Sequence, residues 1–302
     1  MAISRAQLAK ELEPGLNALF GLEYGRYENE HSEIFEEESS DRAFEEEVML
    51  GGFSTAPSKG EGTAISFDEA RETYTARYTH ETIALAFSIT EEAIEDNLYD
   101  RLASRYTKAL ARSMAQTKQI KAAAILNNAF LAGANAIGDG VALCSNAHPS
   151  LSGNQTNLLT TAADLNETSL EQMLIDIAGL TDERGLKIAV RGTKLVIPKE
   201  LQFIAERVLN SNLRSGTADN DNNAMKNMGM LPEGAVVNHF LTDTDAYFIK
   251  TDAPNGFKYF NRAAIKTAME GDFDTGNMRF KARERYSFGV SDWRCVFGTP
   301  GA

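Results

Sequence analysis

The sequence predicts an α+β fold, and three stretches of the chain carry this prediction. Residues 51–63 are rich in glycine, serine and proline and lie between two extended runs, which predicts a long β-hairpin. Residues 88–132 contain neither proline nor glycine and repeat apolar side chains at helical spacing, which predicts one long helix. From residue 168 onward, helical and strand patterns alternate, and long strands follow near the end.

The N-terminal region combines a weak helical signal with a strongly acidic run. Residues 1–20 look amphipathic, but Pro14 and Gly15 predict a broken or very short helix. Residues 28–47 carry two acidic triplets, which are Glu36, Glu37, Glu38 and Glu45, Glu46, Glu47. Such a run is typical of a solvated or disordered segment. The alternative is an extended arm against a basic neighbour, which the interleaved apolar residues favour slightly.

The hairpin prediction rests on the residues around the glycine-rich stretch. Phe44 to Leu50 precede it, and Ile65 to Phe67 and then Tyr74 to Thr79 follow it with strand alternation. An isolated hairpin is poorly stable, so this one needs a surface to pack on.

The long helix is predicted to begin at a capping box, Ser88-Ile89-Thr90-Glu91. At 1.5 Å per residue it would span roughly 65 Å, so either it is kinked or the molecule is elongated. Further elements are predicted downstream: helices at 170–180 and 200–209, and strands at 194–197, 236–240, 246–249, 278–288 and 290–297.

Composition limits the classes of function. The net charge of −13 argues against tight binding to nucleic acid, although an acidic wall can still enclose it. No run of eighteen apolar residues predicts a membrane span, and the first residues lack the apolar core of a secretory signal, so a cytoplasmic origin is expected. Cys144 and Cys295 are interpreted as free, buried thiols.

The sequence offers no catalytic, cofactor or metal constellation. Cys144 and His148 are four residues apart, but a loop that ends in Pro149 gives no reason to pair them. The four histidines have no metal-ligand spacing, and Asp243 to Asp245 is predicted to be a plain turn. An arm, a hairpin and a long helix that cannot stabilise themselves predict assembly with other chains.

Four short segments carry a family resemblance. They are Leu195-Val196-Ile197-Pro198, Leu241-Thr242-Asp243-Thr244-Asp245-Ala246-Tyr247, Gly271-Asp272-Phe273-Asp274-Thr275 and Tyr286-Ser287-Phe288-Gly289-Val290-Ser291-Asp292-Trp293-Arg294. With the order of the elements, they resemble tailed-bacteriophage major capsid proteins of the Hong Kong 97 fold, nearest to the branch of the Mu-like head subunits.

The resemblance implies a domain plan and a mode of assembly. It assigns residues 1–50 to an N-terminal arm, 51–80 to an extended loop (the E-loop), 81–135 to a P-domain with its spine helix, 136–255 to an A-domain and 256–302 to returning P-domain strands. It implies an icosahedral shell of pentamers and hexamers around double-stranded DNA, made in the host bacterial cytoplasm. A separate scaffold and a portal are the expected partners, and decoration proteins are a further candidate.

The resemblance also implies contacts between subunits. The acidic triplets are expected to meet basic residues of a neighbour, namely Arg71, Arg77, Arg279, Lys281, Arg283 and Arg285, or these pair within their own subunit. Lys59 at the hairpin tip is interpreted as solvated rather than cross-linked. Two alternatives stay open: an encapsulin-type nanocompartment shell, and a soluble enzyme with a site within residues 165–260.

Overall fold

The architecture is that of a computed structural model, which describes residues 5–90, 92–93, 99–133, 137–213, 222–272 and 275–302. The described helices are α1 (Arg5–Tyr24), α2 (Tyr99–Asn127), α3 (Glu167–Ala178), α4 (Gln202–Asn210) and α5 (Ala224–Met228). The described strands are β1 (Glu36–Ser39), β2 (Phe44–Gly51), β3 (Arg71–Thr79), β4 (Glu81–Ile89), β5 (Gly192–Ile197), β6 (Ala235–Val237), β7 (Tyr247–Thr251), β8 (Phe257–Gly271), β9 (Met278–Val290) and β10 (Val296–Thr299). This mixture of helices and sheets confirms the predicted α+β class.

The first sheet has four strands in the order β1-β8-β9-β4. The long strands β8 and β9 pair antiparallel, β4 pairs antiparallel with β9, and β1 runs parallel to β8. Helices α1 and α2 pack on this sheet, where Phe20 of α1 and Met114 of α2 meet Phe280 of β9. Each such large apolar side chain contributes roughly 1.5–3 kcal/mol on burial, which fastens both helices to the sheet.

The second sheet has the order β10-β7-β5-β6 and carries helix α3. Asn166 caps this helix by accepting a hydrogen bond from the backbone N of Ser169, whose hydroxyl accepts one from the backbone N of Asn166. The apolar side of α3 packs against the inner strands, and the buried residues involved are Leu170, Met173, Leu174, Ile177, Leu195, Ile197, Tyr247 and Ile249. The helical and strand patterns that alternate from residue 168 onward correspond to α3 and these short strands, which share one apolar core.

The hairpin consists of β2 and β3, which pair antiparallel from Phe44 opposite Thr79 to Gly51 opposite Arg71. Alternate residues of β3 are buried, including Tyr74 and Tyr78, and they pack against the body of the subunit. The hairpin predicted between Phe44 and Thr79 is therefore confirmed, although Ile65 to Phe67 do not form a strand. These residues have no backbone partner in the hairpin ladder, which ends at Arg71.

Helix α1 corrects the prediction that Pro14 and Gly15 break the N-terminal helix. It runs through both residues, although an interior proline costs about 3 kcal/mol. Leu16 and Phe20 follow at helical spacing and are buried against α2 and β9. Tertiary packing offsets the local cost and continues the helix to Tyr24.

Helix α2 departs from the predicted helix over 88–132 at both ends. Ser88 belongs to β4, where it pairs with Arg279, and Thr90 is the residue whose Oγ1 accepts a hydrogen bond from the backbone N of Ala93, at 3.4 Å. The predicted capping box was wrong about Ser88, and its Glu91 lies outside the described residues. The described helix Tyr99–Asn127 has 29 residues, or about 43 Å, and residues 94–98 before it lie outside the described ones.

Candidate assembly surface

The polar residues with the most suggestive chemistry are buried and engaged in structure. His148 is fully buried between the carboxylate of Asp139, at 2.6 Å, and the side-chain oxygen of Asn157, at 3.0 Å. Its ring stacks on Trp293 with centroids 4.3 Å apart. Asn157 in turn donates from its amide nitrogen to three backbone carbonyls. This cluster joins the loop before α3 to the chain before β10, and its side chains are fully buried.

Cys144 and Cys295 are free and buried, as predicted. Burial raises the pKa of both thiols, which keeps them protonated and unreactive. Asp243 accepts hydrogen bonds from the backbone of Asp245 and Ala246, so this segment is the plain turn that was predicted. Across the described ranges, no group of three or more histidine, cysteine or acidic side chains is arranged to hold a metal ion.

We also find no helix, in the parts of the chain that the structure describes, with the length and apolar character needed to cross a bilayer.

Three strongly exposed apolar side chains lie in the loop that ends the hairpin, residues 52–70, here called the tip. Phe53, Ile65 and Phe67 have exposed fractions of 60%, 69% and 97%. Large apolar side chains in such number are costly to hydrate, and a loop that carries them fits an interaction site.

The base of the tip is held to its own subunit. The carboxylate of Asp68 accepts hydrogen bonds from the backbone N and hydroxyl of Ser54, at 2.7 and 2.6 Å, and these bonds lower its pKa to about 2. Arg184 donates to the backbone carbonyls of Gly52 and Glu69, at 3.2 and 2.6 Å. The apolar residues of the tip therefore project from a fixed base.

The outer face of β2 continues this apolar surface. Phe44, Val48 and Leu50 alternate along the strand and are exposed. Arg77 of β3 lies 4.0 Å above the ring of Phe44 and 3.6 Å from the carboxylate of Glu46. One face of the hairpin packs on its own subunit, and the other presents apolar side chains to solvent.

The root of the hairpin is organised by Lys258, which sequence reasoning missed. This lysine of β8 is buried, and its Nζ lies 3.1 Å from the carboxylate of Glu38 and in a short contact with that of Glu47. Burial alone would lower the pKa of Lys258, but its bonds to both carboxylates outweigh this and raise it. Glu47 also accepts a hydrogen bond from the hydroxyl of Ser291, to which Tyr78 is bonded.

Two further lysines hold the N-terminal region in a similar way. Lys194 of β5 is buried between Glu33, at 2.8 Å, and Glu233, at 3.0 Å. Lys118 of α2 bonds the hydroxyl of Tyr24 at 2.6 Å and pairs with buried Glu284 at 2.7 Å. The sequence signal that could have indicated these buried lysines is a lysine within an apolar strand or on an apolar face of a helix.

The predicted acidic contact residues are thus divided between paired and exposed positions. Glu38 and Glu47 bind Lys258, Glu46 faces Arg77, and Glu45 accepts a hydrogen bond from Ser40 at 2.7 Å. Glu36 and Glu37 lie exposed on β1. Several acidic groups therefore pair within their own chain.

The predicted basic contact residues on β9 lie on the sheet face opposite the helices. Arg279, Lys281 and Arg283 alternate with buried residues and are exposed, and Arg285 is half-buried. Arg279 pairs with Asp272 at 2.5 Å. Arg283 lies opposite Lys266 of β8, and like charges in this position destabilise a sheet. The face therefore carries positive charge on an acidic protein.

The remaining predicted contacts belong to the hairpin. Arg71 is exposed at the tip end of β3, opposite Gly51. Lys59 is exposed within the tip. Lys59 and Arg71 therefore lie at the end of the hairpin. Arg279, Lys281, Arg283 and Arg285 lie on the four-stranded sheet that contains β9, and Lys258 lies between the arm and the hairpin.

Comparisons with known proteins agree with this architecture. No curated protein matches the sequence. The capsid of Myoviridae phage XM1 is similar at 14% identity, over 89% of each chain, with a TM-score of 0.54. The capsid of cyanophage P-SCSP1u matches at 12% identity over 89% of this chain and 86% of that one, with a TM-score of 0.54. A virus-like particle from Pyrococcus furiosus matches at 9% identity over 94% and 97%, with a TM-score of 0.52.

At these identities the solved structures show the fold alone, which is of the Hong Kong 97 type expected from the sequence. The family model of phage capsid proteins matches residues 73–298, which is most of the chain and covers most of β3, strands β4 to β9, α2 and most of β10. This match assigns the role of shell subunit and favours a structural role over catalysis. The chain belongs to the phage capsid protein family.

Proposed function

We propose that this capsid protein is the repeating subunit of a phage head, assembled as pentamers and hexamers into an icosahedral shell around double-stranded DNA. The family match supports shell formation, and the order of arm, hairpin, long helix and two sheets supports this plan of assembly. The net charge of −13 suits a wall that encloses DNA without binding it tightly.

The observation that carries the proposal is the tip with its three exposed apolar side chains. Phe67 is 97% exposed in the single chain, and a neighbouring subunit is the partner that would bury it. Full burial of one phenylalanine contributes roughly 1.5–3 kcal/mol. The contact would be repeated by every subunit, so even a modest energy per copy becomes decisive for a closed shell.

Charged groups are proposed to set the register between subunits. The exposed cations of β9 and the hairpin face acidic residues of a neighbour, with Glu36 and Glu37 the acidic candidates on β1. Exposed pairs contribute about 0.2–1 kcal/mol each, so they select geometry more than they add stability. Lys59 is proposed to be a solvated lysine of the tip.

The finer assignments follow the resemblance to Mu-like head subunits. We expect a separate scaffold protein and a portal as partners, with decoration proteins as a further candidate, and synthesis in the cytoplasm of a bacterial host. A nanocompartment shell of the same fold is the alternative, and the match to phage capsid proteins favours the phage. Nucleic acid inside purified particles supports the phage head, and an enclosed enzyme contradicts it.

Electron microscopy and sedimentation velocity of the purified protein test the proposal. The wild-type chain should form closed icosahedral particles. The double variant Ile65→Ser with Phe67→Ser should fold and remain as small oligomers. Phe203→Ser is the matched control, because this residue is 73% exposed on α4 and away from the tip, and it should assemble normally.

Two results would contradict the proposal. A wild-type protein that forms only one small oligomer under all conditions would argue against a shell. Normal particles from the tip variant would show that the tip is not the contact that closes the shell.

A further inference from the structure

A single residue connects the hairpin to the main sheet. β3 ends at Thr79 in the two-stranded sheet, β4 begins at Glu81 in the four-stranded sheet, and His80 lies between them. Its side chain is only 5% exposed, although histidine is ionisable near neutral pH. The ring therefore occupies the point about which the hairpin would turn.

Both ring nitrogens of His80 are hydrogen-bonded to elements on either side of this point. Nε2 lies 2.9 Å from the hydroxyl of Ser40, which leads into β2, and Nδ1 lies 3.0 Å from the hydroxyl of Ser287 in β9. Ser40 has one proton, and it donates this proton to the carboxylate of Glu45, at 2.7 Å. Its oxygen must then accept from the Nε2–H of His80.

This assignment fixes the neutral tautomer of His80. With the proton on Nε2, Nδ1 is bare and accepts a hydrogen bond from the hydroxyl of Ser287. In this form the ring donates through Nε2 and accepts through Nδ1. A second ring proton would make Nδ1 a donor as well, so the hydroxyl of Ser287 would have to turn its own proton away and accept instead.

The charges around His80 also oppose a second proton. Arg285 of β9 and Arg262 of β8 face the ring and disfavour its cation, while Glu45 of β2 favours it. Glu81, next in the chain, is bound to Lys121 of α2. Burial is the largest cause, and with both arginines it lowers the pKa of His80 below 6.5.

We propose that His80 is a pH-sensitive hinge, at which protonation of the ring loosens the attachment of the hairpin to the main sheet. The neutral ring holds the hairpin root to β9 and to the arm. Opening the hairpin exposes the ring to water, where its pKa returns to the ordinary value of 6.5. The hinge therefore holds above pH 6.5 and weakens as the pH falls from 6.5 toward the folded-state pKa of His80.

The size of the effect follows from one proton taken up on opening. Within that pH window, the equilibrium constant for opening rises by up to about tenfold for each pH unit. Below the folded-state pKa the effect levels off. This dependence is a property of the single subunit, so it stands even if the tip makes no contact in a shell.

Hydrogen exchange of the dissociated full-length subunit, read by mass spectrometry between pH 8 and pH 5, tests the hinge. After correction for the intrinsic rate, exchange of β2 and β3 should rise below pH 6.5 in the wild type. His80→Gln keeps a donor for Ser40 and cannot titrate. In this variant the exchange of β2 and β3 should therefore not rise below pH 6.5. His31→Gln is the matched control, because burial also lowers the pKa of His31, and its hairpin should respond like the wild type.

An equal pH response in His80→Gln and wild type would overturn the proposal. If His80→Gln does not fold, NMR titration of the imidazole carbons of the wild type decides. A His80 ring that titrates at or above pH 6.5 in the folded subunit would contradict the hinge, and a ring that stays neutral below it supports the hinge. Failure of shell assembly in the tip variants would leave either result unchanged.

Discussion

Removal of the Lys258 ammonium should detach the arm and the hairpin from the main sheet. At about 3 Å and an effective dielectric constant near 20, each carboxylate contact amounts to roughly 5 kcal/mol of attraction, most of which the desolvation of the charges cancels. Breaking a buried pair usually costs 3–5 kcal/mol, but Glu38 and Glu47 are 43% and 26% exposed and recover some hydration. We therefore expect Lys258→Ala to lose about 2–4 kcal/mol.

Thermal unfolding of the dissociated subunit measures this loss. For a chain of this size, about 2 °C is lost per kcal/mol, so the melting temperature should fall by about 4–8 °C. Because the pKa of Lys258 is raised, its contribution is complete below pH 10.5 and is lost only as the pH rises through the folded-state value. The difference from wild type should therefore be constant between pH 6 and pH 9. Lys281→Ala, an exposed lysine on the same sheet, is the control, and an equal effect of both variants would refute the reasoning.

Two further perturbations test the packing of the hairpin and the core. A Cβ added at Gly289 would lie 2.5 Å from the ring of Tyr78, so Gly289→Ala should displace the hairpin root and cost about 1–3 kcal/mol, whereas Gly271→Ala, with open space around it, should melt like the wild type. Equal melting temperatures for these two variants would argue against the packing described. Cys144 and Cys295 should react with a thiol reagent only after unfolding, since burial raises the pKa of both, and rapid labelling of the native subunit would contradict this.

The hairpin could be predicted because its signal is local. Glycine and proline mark the loop, and alternation marks the strands on either side. The start of the long helix could not be placed in this way, because Ser88 pairs with Arg279, far away in the sequence. A capping pattern and a strand pairing compete for the same residue, and the distant partner is invisible to local reasoning.

The assembly surface could be predicted only in part for the same reason. The acidic and basic residues were found from composition, but their partners depend on strand register. Lys258 stands between Phe257 and Tyr259, and a lysine among buried aromatic residues signals a buried ion pair. That its partners are Glu38 and Glu47 follows only from the pairing of β1 with β8 and the packing of the hairpin.

The pairing of β1 with β8, and of β4 with β9, has a consequence for how the protein is made. Neither sheet is complete until the last strands have left the ribosome, because β9 is central to one sheet and β10 is an edge strand of the other. At about 5–20 residues per second, translation of 302 residues takes about 15–60 s, during which the early hairpin waits with its apolar tip uncovered. A chain released too soon lacks a central strand of the first sheet and an edge strand of the second, so its hairpin has no finished body to pack on.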